Sequence, residues 1–188
     1  MCHTDVMIGV NDMEHHKDGN WISNQKWNTR DLAEMGMMIA ALEAGKLALS
    51  SLPNVEIVTF LIIMFAVIYG LKSVIAVVVF VGVECLIWPV NLWTIMYLYI
   101  WPLLAALAYL FRRQSSVWFW SAFSALYGFC FGGLCAIAYI FTSGIHTAVA
   151  WWIAGIPFDL IHGFSNCVIM MVLYRPIRKV FSYNQSRK

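Results

Sequence analysis

Few polar residues in this chain could do chemistry, and three of them share one helical face. Asp159, His162 and Asn166 stand at positions i, i+3 and i+7, so a helix would place them in one row. Their surroundings are apolar, and polar groups in such a setting either line a cavity or hydrogen-bond to neighbouring helices. We interpret the row as the lining of a cavity. Helix-to-helix bonding is the alternative.

A catalytic interpretation of Asp159 and His162 lacks the other parts that it needs. No motif places a serine or cysteine nucleophile with them, and no HEXXH sequence or third spaced ligand indicates a metal. The five cysteines include no C-x2-C pair, and scattered cysteines of this kind are typical of free thiols. We therefore expect no catalytic residue, no metal and no cofactor. A membrane enzyme built on Asp159 and His162 is the weaker alternative.

A second group of candidate residues is aromatic. Trp93, Tyr97 and Trp101 recur every four residues, which aligns three rings along one side of a helix, and Asn91 precedes them with an amide that can donate and accept. Such a row can form the wall of a site for a flat ligand. Packing between helices, together with a belt at the membrane surface, is the alternative.

Acidic residues are scarce beyond residue 34. Only Glu43, Glu56, Glu84 and Asp159 remain. Lys46 lies three residues after Glu43, close enough on a helix for the two to pair. A charge in the middle of a membrane span is costly, so this pair should face protein or water. It is either a structural ion pair, or it supplies a charge that recognises a ligand or moves during gating.

The elements that must position these residues are membrane helices. The chain is 61% hydrophobic and 12% charged, and its mean hydropathy is +0.72. Basic residues occur only in alternate gaps between apolar stretches, apart from Lys46, and cytoplasmic loops are the ones enriched in Lys and Arg. Both termini should then be cytoplasmic. The basic residues that define this pattern are Lys17, Lys26, Arg30, Lys72, Arg112, Arg113, Arg175, Arg178, Lys179, Arg187 and Lys188.

We therefore predict an all-α membrane protein, a compact bundle of six transmembrane helices. The first span should open with a capping box at Asp31 and Glu34, and Gly70 to Ser73 should separate the second span from the third. Residues 142–157 should form the longest outer gap. The spans are expected near residues 31–51, 55–70, 73–88, 93–111, 117–141 and 157–174, within a domain of residues 29–180 between a polar cytoplasmic tail, 1–28, and a basic cytoplasmic tail, 181–188.

Small residues mark where helices can approach closely. Gly36, Ala40, Ala44 and Ala48 form a four-residue ladder in the first span, and Gly128, Gly132 and Ala136 form another in the fifth. In lipid such ladders allow close packing of helices. The contacts can lie within the chain, or the first ladder can dock a partner helix.

With these features the sequence resembles the substrate-binding S components of energy-coupling factor (ECF) vitamin transporters, from about Thr29 to Val180. The resemblance is carried by the alanine ladder at Ala40, Ala44 and Ala48 and by three stretches. They are SSLPNVEIVTFLIIMFAVIYGLKS (50–73), NLWTIMYLYIWP (91–102) and GIPFDLIHGFSNCVIMMVLYRPI (155–177).

The resemblance implies a six-helix protein of a prokaryotic cell membrane that captures a vitamin or related micronutrient from outside. It implies a transmembrane coupling subunit, met by Ala40 and Ala44, and two separate cytoplasmic ATPases. The chain has no Walker A motif of its own. The implied pocket lies in the outer halves of spans four to six, under loops at Pro53-Asn54 and 142–157. Its expected substrate-binding residues are Glu84, Asn91, Trp93, Tyr97, Trp151, Trp152, Asp159, His162 and Asn166.

A different class of function remains open beside this one. Glu43, Lys46 and Glu84 could serve a stand-alone channel or a proton-coupled carrier. Such a protein would transport in vesicles without ATPase partners, whereas an S component binds its ligand alone and needs the assembled complex for accumulation.

Overall fold

A computed structural model describes residues 27–89 and 91–185 of the chain. These residues form six helices, so the all-helical class is confirmed. The helices are α1 (Thr29–Ala48), α2 (Val58–Tyr69), α3 (Leu71–Ile87), α4 (Leu92–Leu110), α5 (Val117–Ser143) and α6 (Ile145–Gln185). Most of the expected tail 1–28 and the end of the tail 181–188 lie outside the described residues.

Three of the described helices are long and apolar enough to cross a membrane, namely α4, α5 and α6 up to Phe181. Helix α2 is apolar but has only 12 residues, about 18 Å at 1.5 Å per residue. That is shorter than the hydrocarbon core of a bilayer, which is about 30 Å.

The predicted start of α1 is close but not correct in detail. The helix begins two residues before Asp31, and Asn28 is its N-cap. The backbone N–H of Asn28 donates to the Asp31 carboxylate over 3.0 Å, so Asp31 is the third helical residue of the capping box instead of its first member. Lys72, at the start of α3, hydrogen-bonds to Asp31 and Glu34. This contact holds the first turns of α1 and α3 together.

The predicted break at Gly70 is confirmed. Gly70 has φ of +62° and ends α2 one residue before α3 begins. This left-handed conformation is open to glycine because glycine has no Cβ.

The predicted outer gap at 142–157 is wrong. Helix α5 continues to Ser143, and α6 begins at Ile145. Gly144, with φ of +83°, is the whole connection, because glycine can reverse the chain without a longer loop. Pro157 lies inside α6, as does Pro176, where we expected the helix to stop. Each proline removes one backbone hydrogen bond, and the packed helix tolerates the loss.

Helices α5 and α6 form a long antiparallel pair. A Cβ added to Gly128 would lie 2.7 Å from the Cα of Gly163, so the two backbones touch there. Ser124 on α5 donates to the backbone oxygen of Asn166 on α6 over 3.3 Å. The main hydrophobic core joins this pair to the other helices, and its fully buried members include Leu42, Phe60, Ile63, Phe80, Leu104, Trp120 and Met170.

Candidate functional site

Three cavities meet around Trp93 at the end of the bundle where α1 ends and α4 begins. Their volumes are about 380, 200 and 170 Å³. Trp93 lines all three, and Tyr97 and Lys46 line the two smaller ones. Cavities of a few hundred cubic ångströms with aromatic walls and a few polar groups are typical of small-molecule sites.

Asp159 lies in the wall of the largest of these three cavities and is only 8% exposed. Its Oδ1 accepts a hydrogen bond of 2.9 Å from the backbone N–H of Gly132 on α5. Gly132 has to be glycine here, because a Cβ would lie 2.7 Å from that same oxygen. The other oxygen, Oδ2, is buried and has no hydrogen-bond partner. A buried acceptor without a partner is costly, and a bound ligand would relieve that cost.

His162 pairs with Glu56. Its Nε2 lies 3.1 Å from Oε1 of Glu56, a residue of the segment that joins α1 to α2. The Glu56 carboxylate also accepts from the backbone N–H of Thr59, at 2.9 Å for Oε2. Burial raises the pKa of Glu56, but the hydrogen bond and electrostatic interaction with His162 and the hydrogen bonds from Thr59 outweigh it, so the pKa lies below its ordinary value. Asp159 and His162 thus hydrogen-bond to different partners.

The predicted pairing of Lys46 with Glu43 is wrong. Lys46 donates to Oε2 of Glu84 on α3. Glu84 is only 3% exposed, and a buried carboxylate without a counter-charge would be strongly destabilising. The Lys46 ammonium also lies 5.1 Å from the ring centre of Tyr97 and 5.4 Å from that of Trp88, within cation–π range. Two buried oxygens nearby have no partner, Oε1 of Glu84 and Oε1 of Glu43.

The aromatic row on α4 is only partly continuous. Tyr97 and Trp101 meet edge to face at 5.6 Å between ring centres. Trp93 instead contacts Trp151 of α6 at 6.3 Å, and Trp151 stacks on Tyr139 at 4.7 Å. Trp93 and Trp151 together line the largest cavity.

Of the nine predicted substrate-binding residues, seven line these cavities. They are Glu84, Asn91, Trp93, Tyr97, Trp151, Asp159 and His162. Asn91 also caps α4, where its side chain accepts from the N–H of Thr94 over 3.2 Å.

The other two predicted residues lie elsewhere. Trp152 is 44% exposed and lies beside Gly133. Asn166 is buried among the helices, and neither polar atom of its side chain has a hydrogen-bond partner. Neither residue is part of the three cavity walls.

Sequence reasoning missed several residues of the site. Asn54, Phe131 and Glu56 line cavities without having been assigned to the pocket. Trp101 and Lys46 also line a cavity, and the sequence indicates them only as part of an aromatic row and of an ion pair. Asn54 has φ of +58°, and its backbone oxygen accepts from the Ser165 hydroxyl of α6 over 3.2 Å. This bond fixes the α1–α2 segment over the cavities. The resemblance implies a loop at Pro53-Asn54 over the pocket, but the turn sequence itself does not indicate that Asn54 lines a cavity.

The two small-residue ladders have different surroundings. Gly128 and Gly132 of α5 are used within the chain, against Gly163 and Asp159. On α1, by contrast, Ala40 and Ala44 are exposed, and a Cβ on Gly36 would meet nothing within 4 Å. Among the described residues, then, nothing covers the α1 ladder.

Within the described part of the chain, no group of three or more His, Cys, Asp or Glu residues is arranged to hold a metal ion. No protein-family model, curated protein or solved structure matches the chain.

Proposed function

We propose that this protein is a membrane-embedded binding subunit that captures a vitamin-like micronutrient, as an S component of an energy-coupling factor transporter does. The observation that carries the proposal is the group of cavities around Trp93. Its walls combine indole and phenol rings with carboxylates, one of which, Asp159, has a buried oxygen without a partner. Rings supply contact area for a flat ligand, and the carboxylates fix its orientation.

The proposal includes six crossings, with both termini in the cytoplasm of a prokaryotic cell. The connections at 49–57, 88–91 and Gly144 contain no basic residue, whereas Gly70 is followed by Lys72, and Arg112 and Arg113 lie between α4 and α5. The ion pair between Lys72 and Asp31 supports this arrangement, because it brings the α2–α3 turn to the beginning of α1. The cavities lie at the end whose connections contain no basic residue, which is the outer end under the positive-inside rule.

Energy would come from other subunits in this proposal. The chain contains no GxxxxGK[ST] sequence, the loop that cradles nucleotide phosphates in such ATPases. A transmembrane coupling subunit would pack on the exposed α1 face at Ala40 and Ala44, where small side chains permit close approach. Two cytoplasmic ATPases would act through that subunit.

The test is to purify the protein in mild detergent and identify small molecules that leave it on denaturation by mass spectrometry. We expect one ring-bearing, water-soluble compound at near-equal molar ratio. Vesicles containing the chain alone should bind it without sustained accumulation. Recovery of no compound, together with no saturable binding of candidate vitamins, would refute the proposal.

One observation favours a second candidate, a secondary carrier. Glu43 and Glu84 lie close enough to interact, with Lys46 beside them, and buried carboxylates near a lysine can relay protons. A carrier would accumulate its substrate in vesicles that contain only this chain and a proton gradient. Transport by the unmodified chain under those conditions, together with its loss in the Glu84→Gln variant, would favour the carrier over the binding subunit.

A further inference from the structure

Carboxylates outnumber lysines and arginines around the three cavities. Three carboxylates line them, those of Glu56, Glu84 and Asp159, and among the described residues the only lysine or arginine that does so is Lys46. Glu56 has His162 as its partner, and Glu84 has Lys46. Asp159 receives only a backbone N–H on one oxygen. Around these cavities, Asp159 is thus the carboxylate without a hydrogen bond from a lysine or histidine side chain.

Asp159 lines the largest of the three cavities, whose other lining residues are mostly apolar or aromatic, and its buried Oδ2 has no hydrogen-bond partner. A charge-assisted hydrogen bond is roughly twice as strong as a neutral one, and hydrogen bonds strengthen further in surroundings of low polarity. A ligand that brings a cationic or N–H-bearing group to this oxygen would therefore gain more there than in water.

The aromatic walls also favour a positively charged group on the ligand. Trp93 and Trp151 meet at 6.3 Å in the wall of this cavity, and the faces of indole rings attract cations. Lys46 provides an internal example, since its ammonium is held by Glu84 and lies near the rings of Trp88 and Tyr97. The site thus already holds one cation by the chemistry that a second would use.

We propose that the ligand is a flat ring compound with a positively charged group, and that this group binds Oδ2 of Asp159 between Trp93 and Trp151. This inference rests on the proposed binding function and narrows its ligand class. An anionic ligand would meet the excess of carboxylates, and a neutral ring would leave Oδ2 without a counter-charge.

The test uses probe pairs that differ by one N-methyl group and the positive charge that it brings, 1-methylnicotinamide with nicotinamide and 1-methylquinolinium with quinoline. Calorimetry on the detergent-purified full chain should show the charged member of each pair binding at least about tenfold more tightly. Asp159→Asn keeps an oxygen to accept from Gly132 while removing the charge. It should remove that preference, so that the charged and neutral members of each pair bind with similar affinity. Glu34→Gln, which removes a carboxylate near Lys72 instead, should keep the preference.

Equal or tighter binding of the neutral members would overturn the inference, and so would an unchanged preference in Asp159→Asn. If that variant does not purify as a single species, the paired probes on the unmodified protein still decide. The charge at pH 7 of the compound that co-purifies is an independent test. A neutral or anionic compound would contradict this inference and leave the proposed binding function in place. Recovery of no compound, together with no binding of any probe, would contradict both the inference and the binding function.

Discussion

Lys46 of α1 and Glu84 of α3 form an ion pair across the interface of the two helices, 38 positions apart in the chain. The Lys46 side chain is 26% exposed and that of Glu84 3%. The pair thus connects α1, on which Ala40 and Ala44 are exposed, to the polar wall of the cavities.

Breaking this pair from one side should destabilise the protein. Lys46→Met leaves a buried carboxylate without its counter-charge, and because Lys46 is partly exposed we expect a loss of about 2 kcal/mol, below the 3–5 kcal/mol of a fully buried pair. The melting temperature in detergent should fall by about 4–8 °C. The double variant Lys46→Met/Glu84→Gln should recover most of the loss, and a double variant as unstable as the sum of the single ones would show that the residues do not interact.

Trp93→Ala should weaken capture of the co-purifying compound by about tenfold, because it removes one aromatic wall from all three cavities. The measurement is a binding isotherm on the detergent-purified protein. Trp118→Ala is the matched control, since Trp118 is 67% exposed and lies at the start of α5, away from these cavities. Equal affinities for the two variants would place the pocket elsewhere.

Gly128→Ala should destabilise the α5–α6 pair. The added methyl would lie 2.7 Å from the Gly163 Cα and 2.8 Å from its nitrogen, so the backbones must separate, at a cost of about 1–3 kcal/mol. Gly82→Ala on α3 is the control, because its Cβ would meet nothing within 4 Å, and alanine favours a helix by roughly 0.5–1 kcal/mol over glycine. Thermal unfolding in detergent should show a lowered midpoint for Gly128→Ala only. Identical midpoints would argue against backbone contact at Gly128.

Ala40→Trp should prevent energised uptake without changing ligand affinity, because its bulk would fill the exposed face proposed for the coupling subunit. Leu86→Trp adds an indole at a position that is 87% exposed on α3, and it should transport normally. Co-purification of the coupling subunit reports the same effect directly. Retention of full uptake by Ala40→Trp would remove α1 from the docking surface.

The helices could largely be read from the sequence because their signals are local. The apolar runs, Gly70 and the capping residues near Asp31 each act within a few positions. The turn at Gly144 escaped prediction although it is equally local, because the polar residues and Pro157 that follow resemble a loop. The final helix instead runs through both of its prolines, since a helix packed against a neighbour can lose single hydrogen bonds without ending.

The partners inside the site could not be predicted. Spacing on one helix permitted a pair of Lys46 with Glu43, whereas the observed partner Glu84 comes from α3. Glu56 and His162 are 106 positions apart. Asp159 and His162 share a face, as their spacing predicted, but the groups that they meet belong to α5 and to the α1–α2 segment. Such pairings depend on how the helices pack against one another, and the helical period of a single segment does not determine that packing.

Trp93 borders all three cavities, and its side chain is half exposed. A rotation of its indole about the first side-chain bond would therefore change the shape of the three spaces together. That one torsion couples their volumes.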